Sequence, residues 1–205
     1  MIQKKLKIIF LLQNRRELNT FAPMENTRII SEGTQFDLTI ERLCYQLIED
    51  YDDFQDTCII GIQTGGVQLA ERLIEKLQEI LRGAKIPFGK LDITFYRDDF
   101  RTSIKPLAAN YNDMPFVIEN QKVILIDDVS YTGRSVQAAL SALNHYGRPK
   151  SIKLLVLVDR RFNRQLPIRP DYIGLGIDAL DEAYVRVEWA TQEGTDRILL
   201  FPQKM

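Results

Sequence analysis

Cysteine and histidine are scarce in this 205-residue chain, which has Cys44, Cys58 and the single histidine His145. Neither cysteine belongs to a CxxC pair or stands at metal-ligand spacing. That excludes a disulfide scaffold and the usual zinc sites, and both are expected as reduced core thiols. His145 falls late in a helical pattern, where it is expected to face the helix dipole rather than serve as a base. No Ser/His/Asp or Cys/His constellation is visible. Excess charge of one sign is missing too: 27 basic against 28 acidic residues leave a net charge of -1, so nothing draws the whole molecule to nucleic acid or an anionic membrane. No apolar run approaches the ~18 residues of a membrane span. The apolar stretch 8–12 is too short for a signal peptide and runs into Asn14-Arg15-Arg16. A cytoplasmic protein is expected, with residues 1–23 an extension (an arm or disordered, Met24 being an alternative start) and 24–205 one domain. Repeats and low-complexity linkers are absent as well.

The remainder is an ordinary globular mixture, 45% hydrophobic and 27% charged, long enough to bury a large core. The spacing of Phe36, Ile40, Leu43, Leu47 and Ile48 predicts an amphipathic helix over 34–50. A β-branched run at 58–62 reads as a buried strand, 63–66 as a tight turn, and 67–81 as a second helix. Alternation predicts a strand over 91–96, followed by a polar, aperiodic stretch at 97–113 expected to be a mobile loop. A strand at 122–126 ends in Asp127-Asp128, turns through 130–133, and opens a helix reaching about 146 with Gly147 as its cap. Residues 152–158 form another buried strand. A segment punctuated by proline and glycine, 166–176, leads to final strands near 184–189, which hold Trp189 as a core or interface residue, and 197–201. Strand, turn, helix, strand implies an α/β fold: a mainly parallel twisted sheet with helices on both faces. Ligands of such sheets bind beyond the carboxyl ends of the strands, where the loops at 63–66, 97–113 and 127–135 should gather.

The chemistry concentrates in Val123-Ile124-Leu125-Ile126-Asp127-Asp128-Val129-Ser130-Tyr131-Thr132-Gly133-Arg134-Ser135. An apolar strand delivers two carboxylates, and a short hydroxyl-rich turn begins a helix. The turn offers unpaired N–H groups and a positive dipole end, a cradle for a phosphate monoester. The carboxylates are placed for vicinal sugar hydroxyls or a hard divalent cation. Together they suit a phosphorylated sugar. The plainer reading, an acid pair closing a strand ahead of an N-cap threonine, explains neither the second acid nor the short polar turn.

This run resembles the binding signature for 5-phosphoribosyl 1-pyrophosphate (PRPP) in type I phosphoribosyltransferases. The resemblance implies that fold, with a small hood over the site and base-pocket segments near 166–180. It also implies Mg²⁺ as cofactor, and PRPP and a nucleobase as partners. Carried over by position, Asp127 and Asp128 would contact the ribose hydroxyls and the metal. Val129, Ser130, Tyr131, Thr132, Gly133, Arg134 and Ser135 would hold the 5′-phosphate. Thr64, Gly65 and Gly66 would meet the pyrophosphate. Asp92 to Asp99, Gly147-Arg148-Pro149, Leu155 to Arg160, Leu166 to Gly174 and Gly61 to Val67 are similar to the pyrimidine-operon regulators, a subfamily that has uracil phosphoribosyltransferase activity. Uracil is therefore the implied base. A purine base, or a sensor of PRPP or nucleotides without turnover, is the alternative. The resemblance implies a homodimer or homotetramer.

Three departures stand out. Gly65 occupies a position usually basic in the subfamily, which removes one charge-assisted contact to pyrophosphate. The first helix, basic in the subfamily where RNA binds, is acidic here, so RNA is not an expected partner. A Pro-Thr-Ser-like stretch near the base pocket is replaced by Ile177-Asp178-Ala179-Leu180. Arg160, Ile177 and Asp178 are the expected base-pocket residues, and Arg97 is expected to meet the pyrophosphate as a catalytic residue. Displacement at the anomeric carbon would pass through an oxocarbenium-like transition state that needs no covalent nucleophile. The 97–113 loop is expected to close over it and exclude water.

Overall fold

The computed structural model describes residues 27–97, 112–162, 164–179 and 183–202. Its centre is a five-stranded sheet of order β3-β2-β4-β5-β6: β2 (Thr57–Ile62), β3 (Phe88–Leu91), β4 (Lys122–Ser130), β5 (Ser151–Arg160) and β6 (Tyr172–Ile177). All four pairings are parallel. Such a sheet must be covered on both faces, and the alternation of its strands shows how. Ile59, Ile124, Ile126, Leu155 and Leu157 pack with α1 (Gly33–Tyr51) and α2 (Gly65–Ile80). Their neighbours Cys58, Ile60, Val123, Leu125 and Val156 pack with α3 (Arg134–Leu143) on the opposite face. The α/β expectation, helices on both faces included, holds.

A second sheet, antiparallel and of order β1-β8-β7, joins β1 (Arg28–Glu32) to β7 (Tyr184–Glu188) and β8 (Arg197–Phe201), with the short α4 (Ala190–Glu193) between the last two. Val185, Val187, Trp189 and Ile198 enter the same core as α1 and α2. Trp189 is buried edge-on against Phe36, with ring centres 5.8 Å apart. Both cysteines are buried and free, and burial pushes each thiol up to about 12. Among the described residues no helix is long and apolar enough to cross a membrane.

Several boundaries differ from the sequence reading. The strand expected at 91–96 lies earlier, at Phe88–Leu91, and a 3₁₀ turn follows at Thr94–Tyr96. The cause is Asp92, whose carboxylate accepts from the N–H of Thr94 at 2.7 Å and from its hydroxyl, bending the chain at once. β4 does not stop at the acid pair. Asp127 still pairs with Val156 and Ser130 with Asp159. The helix expected to reach 146 ends at Leu143, where N–H groups of His145 and Tyr146 turn to carbonyls three residues back. His145 lies past that end, 5.7 Å from the Tyr96 ring. Most of the 97–113 loop, residues 98–111, lies outside the described residues, as does the extension 1–23.

Candidate active site

The chain runs from β2 through α2 to β3 on one side of the sheet, then returns to β4, β5 and β6 on the other. The order therefore reverses between β2 and β4, and a crevice opens at their carboxyl ends. β2 contributes the turn Gln63-Thr64-Gly65, anchored by the N–H of Gln63 on the Leu91 carbonyl at 2.9 Å. β4 contributes the acids. The two loops touch closely on the β2 side. A Cβ on Gly65 would fall on the Asp128 carboxyl group, and one on Gly66 would strike the Ile126 carbonyl and stand 3.0 Å from Asp127 Cα.

Asp127 is buried and Asp128 half-buried. Asp127 Oδ1 accepts from the N–H of Asp128 at 3.1 Å, and Asp128 Oδ1 from that of Val129 at 2.9 Å. Burial raises the pKa of Asp127 well above the usual carboxylate range, and the Asp128 charge adds to this while Arg97 opposes it. Burial also raises Asp128, with the Val129 N–H opposing. Two adjacent carboxylates that resist ionisation call for a cation or for hydroxyl donors. Among the described residues no third His, Cys, Asp or Glu completes a metal cage. Two hard oxygen donors without a cage suit Mg²⁺, which commonly takes one or two carboxylates and completes its shell with substrate phosphates and water.

Beyond the acids the chain turns at Tyr131 and Thr132, passes through Gly133 at φ 91°, a left-handed value, and enters α3 at Arg134. The first turn of α3, Arg134 to Val136, thus lines the crevice. Arg160, at the end of β5 and 5% exposed, lays its guanidinium 3.7 Å over the Tyr131 ring. The resulting cavity is about 1150 Å³ and is lined by Thr64, Gly65, Arg97, Asp127 to Ser135 and Arg160, and from the second sheet by Ala183 to Val187, Trp189 and Gln192.

Of the residues singled out from sequence, the structure gathers Thr64, Gly65, Arg97, Asp127, Asp128, Val129, Ser130, Tyr131, Thr132, Gly133, Arg134, Ser135 and Arg160 around one cavity. Gly66 is buried beneath it, against β4. Ile177 and Asp178, expected in the base pocket, are not among the residues that line this cavity. Ile177 ends β6 and joins the core, and Asp178 accepts from Arg161 Nε at 2.7 Å on the exposed side. Most of the other lining residues lie on β7, on α4 and beside them. Alternation identified that strand, but nothing local in sequence folds it over the distant β4.

The Phosphoribosyl transferase domain model matches residues 27–192. A Bifunctional protein pyrR of Enterococcus faecalis is 43% identical over 161 residues, covering 78% of this chain and 89% of that protein. A Bifunctional protein PyrR of a Picosynechococcus species is 44% identical over 162 residues, covering 79% and 90%. In fold, the crystal structure of a Trypanosoma cruzi hypoxanthine phosphoribosyltransferase matches with a TM-score of 0.65 at 17% identity, over 86% of this chain and 97% of that one.

Proposed function

We propose, for a chain that belongs to the phosphoribosyltransferase family and is similar within it to the PyrR proteins, that the group transferred from PRPP goes to uracil, giving UMP and pyrophosphate. The observation that carries the reading is the opposition of two loops across one crevice: the Asp127-Asp128 pair and its phosphate turn on β4, and Thr64-Gly65 on β2. Uracil follows from the likeness to pyrimidine-operon regulators in the stretches that flank these loops.

In this account Thr132, Gly133, Arg134 and Ser135 hold the 5′-phosphate at the start of α3. Asp127 and Asp128 accept from the ribose hydroxyls, and they are the residues that would hold Mg²⁺. When bound, that ion neutralises charge on the departing pyrophosphate. Thr64 and Gly65 offer backbone N–H groups to the pyrophosphate, and Arg97 adds positive charge on the Asp127 side. The base lies toward β7, between the apolar Val185, Val187 and Trp189 and the Arg160–Tyr131 stack. Fixing sugar, leaving group and base in line supplies much of the rate. RNA is not part of the reading. The sole basic residue of α1, Arg42, donates to the Gly174 carbonyl at 2.5 Å, while Asp37 and Glu49 are exposed.

The test is incubation with Mg²⁺ and PRPP against uracil, hypoxanthine, guanine, adenine and xanthine, following pyrophosphate and nucleotide. UMP is the expected product. A purine nucleotide would move the substrate and keep the site. PRPP binding without product from any base would replace the enzyme by a sensor.

A further inference from the structure

One half-buried cation stands behind the phosphate turn rather than in front of it. Arg164, in the connection from β5 to β6, has a side chain 16% exposed. Its Nη1 donates to Ser130 Oγ at 2.7 Å, and its Nη2 donates to the Asp159 carboxylate. Ser130 and Asp159 are register partners of β4 and β5, so one guanidinium ties the last pair of the ladder to the connection. The following residues extend the tie. The N–H groups of Gln165 and Leu166 donate to the Thr132 carbonyl at 3.1 and 3.2 Å. Gln165 Oε1 accepts from Arg134 Nε at 2.6 Å.

We infer that Arg164 is a positioning residue for the phosphate turn, which it orders without touching substrate; this rests on the reading of residues 130–135 as the 5′-phosphate site. The Thr132 carbonyl is the informative atom. In a trans peptide the carbonyl and the next N–H point opposite ways. With Thr132 O drawn outward by residues 165 and 166, the N–H of Gly133 turns to the other side, and Gly133 lines the cavity. Arg164 fixes the segment that makes this draw. A turn passing through a glycine at φ 91° would otherwise have to be ordered by the ligand, at the expense of affinity. The Arg164 charge is matched by Asp159, so its effect on PRPP is geometric rather than coulombic.

The experiment compares wild-type, Arg164→Gln and Arg164→Lys chains with Mg²⁺ present, measuring PRPP affinity by calorimetry, kcat and KM with the base the panel selects, and Tm. Losing two charge-assisted bonds should raise the PRPP Kd and KM on the order of tenfold or more, leaving kcat at saturating PRPP and KM for the base near wild type. Arg164→Lys keeps a charge opposite Asp159, preserves the fold, and should fall between the two. The salt dependence of PRPP affinity should not change. Wild-type PRPP affinity in both variants, even with a lowered Tm, overturns the inference, and Arg164→Lys alone decides it if Arg164→Gln does not fold. Ser135→Ala separates the premise. If it weakens PRPP and the Arg164 variants do not, the turn holds phosphate but Arg164 does not position it. If Ser135→Ala also leaves PRPP affinity unchanged, the phosphate-turn reading falls and the inference with it.

Discussion

Asp127 and Asp128 oppose folding as they stand. A carboxyl whose folded pKa lies above its unfolded value lowers stability as pH rises between the two, because the unfolded state ionises first. Both acids are raised, chiefly by burial. The Asp127→Asn chain without metal should therefore melt higher than wild type at neutral pH. The gain should shrink on acidification and vanish below about pH 4, the ordinary aspartate value. Its kcat/KM should fall on the order of 10²-fold or more, since charge stabilisation at the reacting centre is lost. Thermal melts across pH in a chelating buffer, beside steady-state rates, check both halves. A variant less stable than wild type throughout would contradict the burial argument.

Gly65 and Gly66 separate function from fold in the same way. A Cβ at Gly65 meets the movable carboxyl end of Asp128, whereas one at Gly66 meets the Ile126 backbone. Gly65→Ala should keep a near-native Tm and lose activity as Asp128 is displaced. Gly66→Ala should be destabilised by about 1–3 kcal/mol, the usual overpacking cost, seen as a lower denaturation midpoint. The sequence marked Gly65 as the loss of a basic contact. It did not show that Asp128 occupies the space, because that contact joins residues 63 apart through the sheet.

At the scale of elements, the strands legible in sequence were β2, β4 and β5, by their unbroken apolar runs, and the last two, β7 and β8. β6 was hidden by Gly174 and Gly176 and the prolines ahead of it, which read as turn residues. Its pairing with β5, Leu155 to Tyr172 through Arg160 to Ile177, is what makes it a strand. β1 is likewise a strand through its partner β8. The acid pair and its turn were legible because a single local run carries them. The roof of the cavity was not, since β7 reaches it by tertiary packing. β7 is also held by charge: buried Glu188 accepts from Arg197 Nε at 2.5 Å across the ladder and lies 3.7 Å from Arg186. Glu188→Ala should cost about 1–3 kcal/mol, the penalty for leaving hydrogen-bonded partners unsatisfied. Hydrogen exchange should then speed up in β7 and β8 while β4 and β5 stay protected. Uniform acceleration would show that the second sheet does not open separately.

The whole molecule places its two crevice-lining loops where the strand order reverses, and that placement brings Gly65 against Asp128 although neither loop specifies it alone. On the proposed reading this crevice takes PRPP, and Asp127 and Asp128 are the residues that would hold the Mg²⁺ bound with it. Calorimetric titration of PRPP into the protein, with Mg²⁺ and with chelator, in wild type and in the Asp127→Asn, Asp128→Asn double variant, tests it most directly. The account predicts one PRPP per chain in wild type, bound more tightly with Mg²⁺, and loss of that metal dependence in the double variant. PRPP that fails to bind, or binds with the same affinity whether or not metal and carboxylates are present, would contradict it.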